Sequence, residues 1–166
     1  NANPVIHPAV TLPNAALLER TGGDFLFYEE GVTPAVGRLI EAVDQERIAI
    51  GDALGIEVVP DPELSLRQGY MTENSYENGY RTAPGFLGIK GPPGLDHRYL
   101  NEDVGYGLVF LAELGRQLGV ETPIMDSIIA LTSRLMKRDY QAEAARTPAS
   151  LGIAGLDAAA LEALVS

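Results

Sequence analysis

Apolar positions recur at helical spacing along most of the chain. Between Thr33 and Gly55, the residues Val36, Leu39, Ile40, Val43, Ile50 and Leu54 form one stripe, which predicts an amphipathic helix with one buried face. Thr33 is placed to cap that helix, Pro34 to open it and Gly55 to stop it. Arg47 falls on the same stripe. A snorkelling side chain with its head in water is the favoured reading, and an anion ligand is the other.

Upstream, His7-Pro8 introduces an apolar stretch to Leu18, which predicts a helix opening at Pro8, where a missing N–H costs nothing. Thr21-Gly22-Gly23-Asp24 then breaks the chain, and Phe25-Leu26-Phe27-Tyr28 reads either as extended or as a buried loop. Asp61-Pro62 repeats the cap-then-proline signal for a short helix. From Tyr70 to Leu100 the periodicity fails, and glycine and proline accumulate in Ala83-Pro84-Gly85 and Gly91-Pro92-Pro93-Gly94. A loop of this length is uncommon in a compact domain and is usually functional or disordered. Its tyrosines (Tyr70, Tyr76, Tyr80 and Tyr99) predict order.

Helical spacing then resumes. Asn101 is the expected cap of a helix ending at Leu118 before Gly119. Thr122-Pro123 opens another, carrying Ile124, Ile128, Leu131 and Leu135 to Lys137-Arg138, whose charges suit a helix C-terminus. Asp157 caps a last helix through Leu161 and Leu164. The predicted fold class is mainly α, a single multi-helix domain over residues 1–166 with one long irregular loop. The apolar residues from Leu151 to Val165 pack either on the core or on a second subunit, which leaves a homodimer open.

Composition narrows the function classes. The 166 residues are 46% hydrophobic, enough for a domain burying about 70% of its unfolded surface. Cysteine is absent, which removes disulfides, thiol nucleophiles and thiolate metal sites and fits a cytoplasmic protein. A net charge of -11 argues against nucleic acid, whose binders neutralise phosphates with Lys and Arg, and against an anionic membrane. No apolar run approaches the roughly 20 residues that span a bilayer. Asn1-Ala2-Asn3-Pro4 lacks the basic and apolar regions of a signal peptide, so none is expected. Asn1 and Ala2 are readable as a tag remnant.

Several chemistries have no motif here. The chain shows no G-x-G-x-x-G after a strand, no P-loop and no H-E-x-x-H, and no G-x-S-x-G elbow. With two histidines, a zinc site is not expected. Two places remain. His7 stands at the predicted helix start, whose positive end disfavours an imidazolium. A nearby carboxylate would favour it, leaving a group able to trade protons near neutrality; a lone histidine there is more often structural. The second place is His97-Arg98-Tyr99-Leu100-Asn101-Glu102-Asp103-Val104, where the long loop enters a helix. Arg98 offers a planar fork for a carboxylate, whereas Asp103 is equally explained as a charge complementing the helix dipole.

A set of segments in order along the chain carries more information than either place alone. These are Asn3-Pro4-Val5-Ile6-His7-Pro8-Ala9, Glu19-Arg20-Thr21-Gly22-Gly23-Asp24-Phe25, Tyr28-Glu29-Glu30-Gly31-Val32-Thr33-Pro34, Arg98 through Leu108, and Gly119-Val120-Glu121-Thr122-Pro123. Together they resemble the C-terminal domain of the octopine/nopaline (opine) dehydrogenase family. The resemblance implies a helical domain similar to the C-terminal domains of 6-phosphogluconate-dehydrogenase-like proteins. It implies a separate N-terminal Rossmann domain for NAD or NADP, and reductive condensation of an α-keto acid with an amino acid. By the same resemblance His7 is the catalytic acid/base, Asp103 orients and charge-balances it, and Arg98 holds the keto-acid carboxylate. Gly105 departs from the family pattern, where proline commonly follows the Glu-Asp-Val run. The region from Ile56 to Leu95 matches least, so the substrate does not carry over. The competing expectations are a non-catalytic helical binding or dimerisation module, a reductase of another keto acid, and an inactive relative serving as a sensor.

Overall fold

The computed structural model describes residues 2–165. Helices α1 (Asn3–Thr11), α2 (Ala15–Thr21), α3 (Pro34–Ala53) and α4 (Asp61–Arg67) come first, and the one-turn helix α5 (Gly79–Thr82) lies inside the long loop. The chain then runs without a break through α6 (Arg98–Asn101), a π-helical turn (Asp103–Leu108) and α7 (Val109–Leu118), and ends with α8 (Pro123–Met136) and α9 (Ala158–Val165). Among the described residues the extended pairing is one isolated bridge, Leu26 to Lys90. The Phe25–Tyr28 segment is therefore a buried loop.

α3 is the axis of the domain, and its sequence says why. The Thr33 hydroxyl accepts from the Val36 amide at 3.4 Å, and Gly55 takes the left-handed conformation, φ +72°, that ends a helix cheaply. Val36, Ile40, Val43 and Ile50 are buried. α1, α7 and α8 pack around this stripe and the π-helical turn packs in turn on those three, giving one core that also takes in Phe27, Tyr80 and Leu100. The C-terminal segment folds back on the domain, where Gln117 donates to the carbonyls of Ile153 (2.9 Å) and Leu156 (2.8 Å).

Several local expectations are corrected. α1 opens at Asn3 with Pro4 in its first turn, and Pro8 lies inside the helix with its ring buried. Pro8 cannot donate to the Pro4 carbonyl, a loss the buried ring offsets by packing. His7 is thus in mid-helix, and the argument from the positive helix end does not apply to it. Asn101 is no cap: His97 caps α6 by accepting from the Tyr99 amide at 3.4 Å. The Asn101 side chain instead accepts from Arg138 (2.9 Å) and from the Tyr140 hydroxyl (2.8 Å). Lys137, at φ 53°, ends α8, so it and Arg138 stand beyond the last turn. Asp61 is the first residue of α4, with Pro60 at the cap.

Arg47 does not send its head into water. Its Nε donates to Asp44 at 2.7 Å and its Nη2 to the Val59 carbonyl at 2.9 Å. Asp44, fully buried, also accepts from the Asp61 amide (2.7 Å) and the Tyr76 hydroxyl (2.6 Å). The Tyr80 hydroxyl in turn donates to Asp61 at 2.5 Å. Two tyrosines of the long loop are thereby tied to carboxylates on α3 and α4, which explains its order.

Candidate active site

The site starts from the contact of α1 with the π-helical turn. A Cβ on Gly107 would fall 2.6 Å from Pro4 Cβ, closer than any real contact, so only glycine lets the two backbones meet there. One helical turn further along α1 is His7, and one turn back along the π segment is Asp103. The His7 Nδ1 and Asp103 Oδ2 atoms are 2.8 Å apart, and both residues are buried. π-turns widen a helix by one residue and concentrate at functional sites. Here the turn holds a carboxylate inside the protein against an imidazole, which explains Asp103 without the alternative of a charge complementing the helix dipole.

An ionised carboxylate can only accept, so Asp103 places the His7 proton on Nδ1 and leaves Nε2 as the acceptor of the neutral ring. The Tyr28 hydroxyl lies 3.2 Å from Nε2. Burial raises the Tyr28 pKa first, with Tyr99 and the charges of Asp103 and Asp61 adding to it; the hydroxyl keeps its proton and is the donor. Tyr99 stacks on the imidazole at 3.7 Å between ring centres, and His97 meets the same tyrosine edge-on at 4.6 Å. Burial and the neighbouring Arg98 push the His97 pKa down. Phe86, from the long loop, stacks on Tyr28 at 4.6 Å.

Arg98 stands on the Asp103 side of the pair, half-exposed, with its Nε 3.3 Å from Glu102. It lines a cavity of about 290 Å³ whose walls include Pro4, Asp103, Tyr106 and Arg146. Asp103 is thus among the cavity's lining residues and His7 is not, and both ring nitrogens of His7 are hydrogen-bonded. Tyr28, Tyr99 and Arg146 were not singled out as site residues from sequence. Tyr28 and Tyr99 do lie in the family-like segments; Arg146 carries no sequence signal. Gly105 lies under Tyr140, whose ring a Cβ there would meet at 3.3 Å.

Among the described residues no three His, Asp or Glu side chains gather to hold a metal ion. Nor do they form the strand–turn–helix cradle of a dinucleotide. No helix among them is long and apolar enough to cross a membrane.

Fold and site together define an all-helical domain built around a buried histidine–aspartate pair with an arginine-lined cavity beside it. The chain belongs to the octopine/nopaline dehydrogenase family: the sequence model for the NAD/NADP octopine/nopaline dehydrogenase, alpha-helical domain, matches residues 1–136. It is 42% identical over 165 residues to the opine dehydrogenase of Arthrobacter sp. (strain 1C), covering 99% of this chain and 45% of that protein. It is 34% identical over 163 residues to the protein ocs of Agrobacterium tumefaciens (strain Ach5), covering 97% and 45%. The chain thus spans a little under half the length of these relatives. Octopine dehydrogenase solved with NADH and L-arginine superposes with a TM-score of 0.75 at 19% identity, over 96% of this chain and 47% of that one. The same enzyme with NADH and agmatine gives 0.73 over the same shares. The fold is that of the octopine dehydrogenase C-terminal helical domain.

Proposed function

We propose that this chain is the substrate-binding and acid–base domain of an NAD(P)-dependent oxidoreductase that joins an α-keto acid to the amine of an amino acid. The observation that carries this reading is the buried His7–Asp103 hydrogen bond, 2.8 Å long, beside a cavity lined by Arg98. Condensation of ketone and amine forms a C–N bond, expels the carbonyl oxygen as water and leaves an imine. Reduction then adds hydride to the carbon and a proton to the nitrogen. The hydride comes from a reduced nicotinamide, for which the described residues form no cradle, so a separate nucleotide-binding domain supplies it. This chain contributes proton transfer and anion binding. His7 is the proton-transfer group, its Nε2 exchanging the Tyr28 hydroxyl for the substrate's oxygen or nitrogen; Asp103 fixes its tautomer and balances its charge, and Arg98 holds the keto-acid carboxylate in a two-pronged bond.

The test is turnover of keto acid, amino acid and NADH or NADPH by the chain joined to its nucleotide-binding domain. His7→Ala should lower kcat about 10²- to 10⁴-fold, the usual worth of a positioned acid–base group. Activity indifferent to that substitution refutes the assignment.

A further inference from the structure

The proposed reaction sets a charge requirement that one arginine does not meet. The keto acid and the amino acid each bring a carboxylate, so the imine and its reduced product carry two. A guanidinium fork holds one carboxylate at a time, and Arg98 accounts for one. The rest of the molecule is repulsive to anions, with 23 acidic residues against 12 basic ones. A second carboxylate therefore needs a second local cation.

The cavity beside Asp103 contains one. Arg146, from the irregular stretch between α8 and α9, lines the same 290 Å³ space as Arg98. Its guanidinium makes no hydrogen bond or ion pair among the described residues, whereas Arg138 in the same stretch is held by Glu143 (2.6 Å) and Asn101 (2.9 Å). The backbone on either side of Arg146 is nonetheless fixed. Ser150 Oγ donates to the Ala145 carbonyl at 2.9 Å and accepts from the Thr147 amide at 2.9 Å. A pinned backbone thus presents an unpaired cation to a cavity whose size suits a small ligand. Arg98 is itself available, because its pairing with Glu102 is an exposed contact of 3.3 Å that a better-placed carboxylate displaces. Arg146 also lies beyond the 1–136 match to the family model.

We propose that Arg146 is the second carboxylate anchor of this site, binding the α-carboxylate of the amino-acid partner while Arg98 binds that of the keto acid. The ligand class is a secondary amine bearing two carboxylates, together with its imine precursor. The inference rests on the dehydrogenase reading given above, and its test separates the two.

KM for each substrate is measured in the enzyme that joins this chain to its nucleotide-binding domain, as wild type, Arg146→Ala, Arg146→Lys and Arg98→Ala. Arg146→Ala should raise KM for the amino acid about 10- to 100-fold, leave KM for the keto acid within about twofold, and be partly rescued by lysine. An amine lacking the carboxylate should be used equally well by wild type and Arg146→Ala. An unchanged amino-acid KM, a loss that falls on the keto acid, or an equal loss with the decarboxylated amine overturns the proposal. Should wild type turn over no such pair, the dehydrogenase reading fails by itself. The anchor is then decided by titrating this chain with iminodiacetate, the smallest secondary amine of the class. Binding weakened about tenfold or more by Arg146→Ala sustains it, and no binding, or binding indifferent to Arg146, overturns it.

Discussion

Tyr28 keeps its proton because burial raises its pKa, and it spends that proton on His7 Nε2 at 3.2 Å. The imidazole is thus held at both nitrogens, by an acceptor on one side and a donor on the other. Replacing Tyr28 with phenylalanine keeps the ring that stacks on Phe86 and deletes only the donor. The buried Nε2 then has no partner, which should lower unfolding free energy by about 1–3 kcal/mol in urea titrations. Unchanged stability would mean that the 3.2 Å contact contributes nothing. Sequence suggested two members of this arrangement, His7 and Asp103, and missed the third, Tyr28. His7 and Asp103 were legible through the family-like segments that carry them, since each residue alone reads at least as readily as structural. A tyrosine among phenylalanines reads only as apolar until its hydroxyl is seen to face a nitrogen.

At the level of elements, the helix starts show what a pattern can decide. α3 was readable at both ends, since Thr33, Pro34 and Gly55 each have one conformational role there. α1 offered two prolines, and the first-turn preference applies equally to both. Pro4 takes that place, because it also packs on Gly107, a tertiary contact invisible in local sequence. The stretch from Arg98 to Leu118 passes through α, π and α geometry in turn, and one apolar period cannot encode three. Gly107 is where this arrangement is most easily broken. Gly107→Ala should push α1 off the π-helical turn, cost about 1–3 kcal/mol as overpacking does, and lengthen the His7–Asp103 bond. A crystal structure of the variant with that bond still at 2.8 Å would show that α1 is set by other contacts.

Over the whole molecule, acid groups outnumber basic ones, and two carboxyls with raised pKa, Asp61 and Glu46, contribute to the pH response. Asp61 has a raised pKa, chiefly from burial and also from the charge of Asp44, with the Tyr80 hydrogen bond opposing. A carboxyl whose pKa is higher folded than unfolded favours the fold most when protonated. Its contribution is complete below the ordinary carboxyl value and is lost as pH rises through the raised one. Glu46 shifts in the same direction, again mainly through burial. Asp61→Asn keeps an acceptor for Tyr80 and removes the titration. Its stability should match or exceed wild type at neutral pH and fall less between acid and neutral conditions. Urea midpoints measured across that range check this, and a variant less stable at neutral pH than in acid by the wild-type margin contradicts it.

The long loop is fastened at two buried posts, Tyr76 on Asp44 and Tyr80 on Asp61, while Leu87 stands in solvent and Phe86 leans on Tyr28. Drift at the crown is therefore cheap for the scaffold, and it is felt first at the proton-bearing pair. A lineage built this way can inherit its frame intact while its loop diverges. For anyone grafting loops between relatives, the splice points belong outside the two tyrosines, and position 86 has to travel together with position 28.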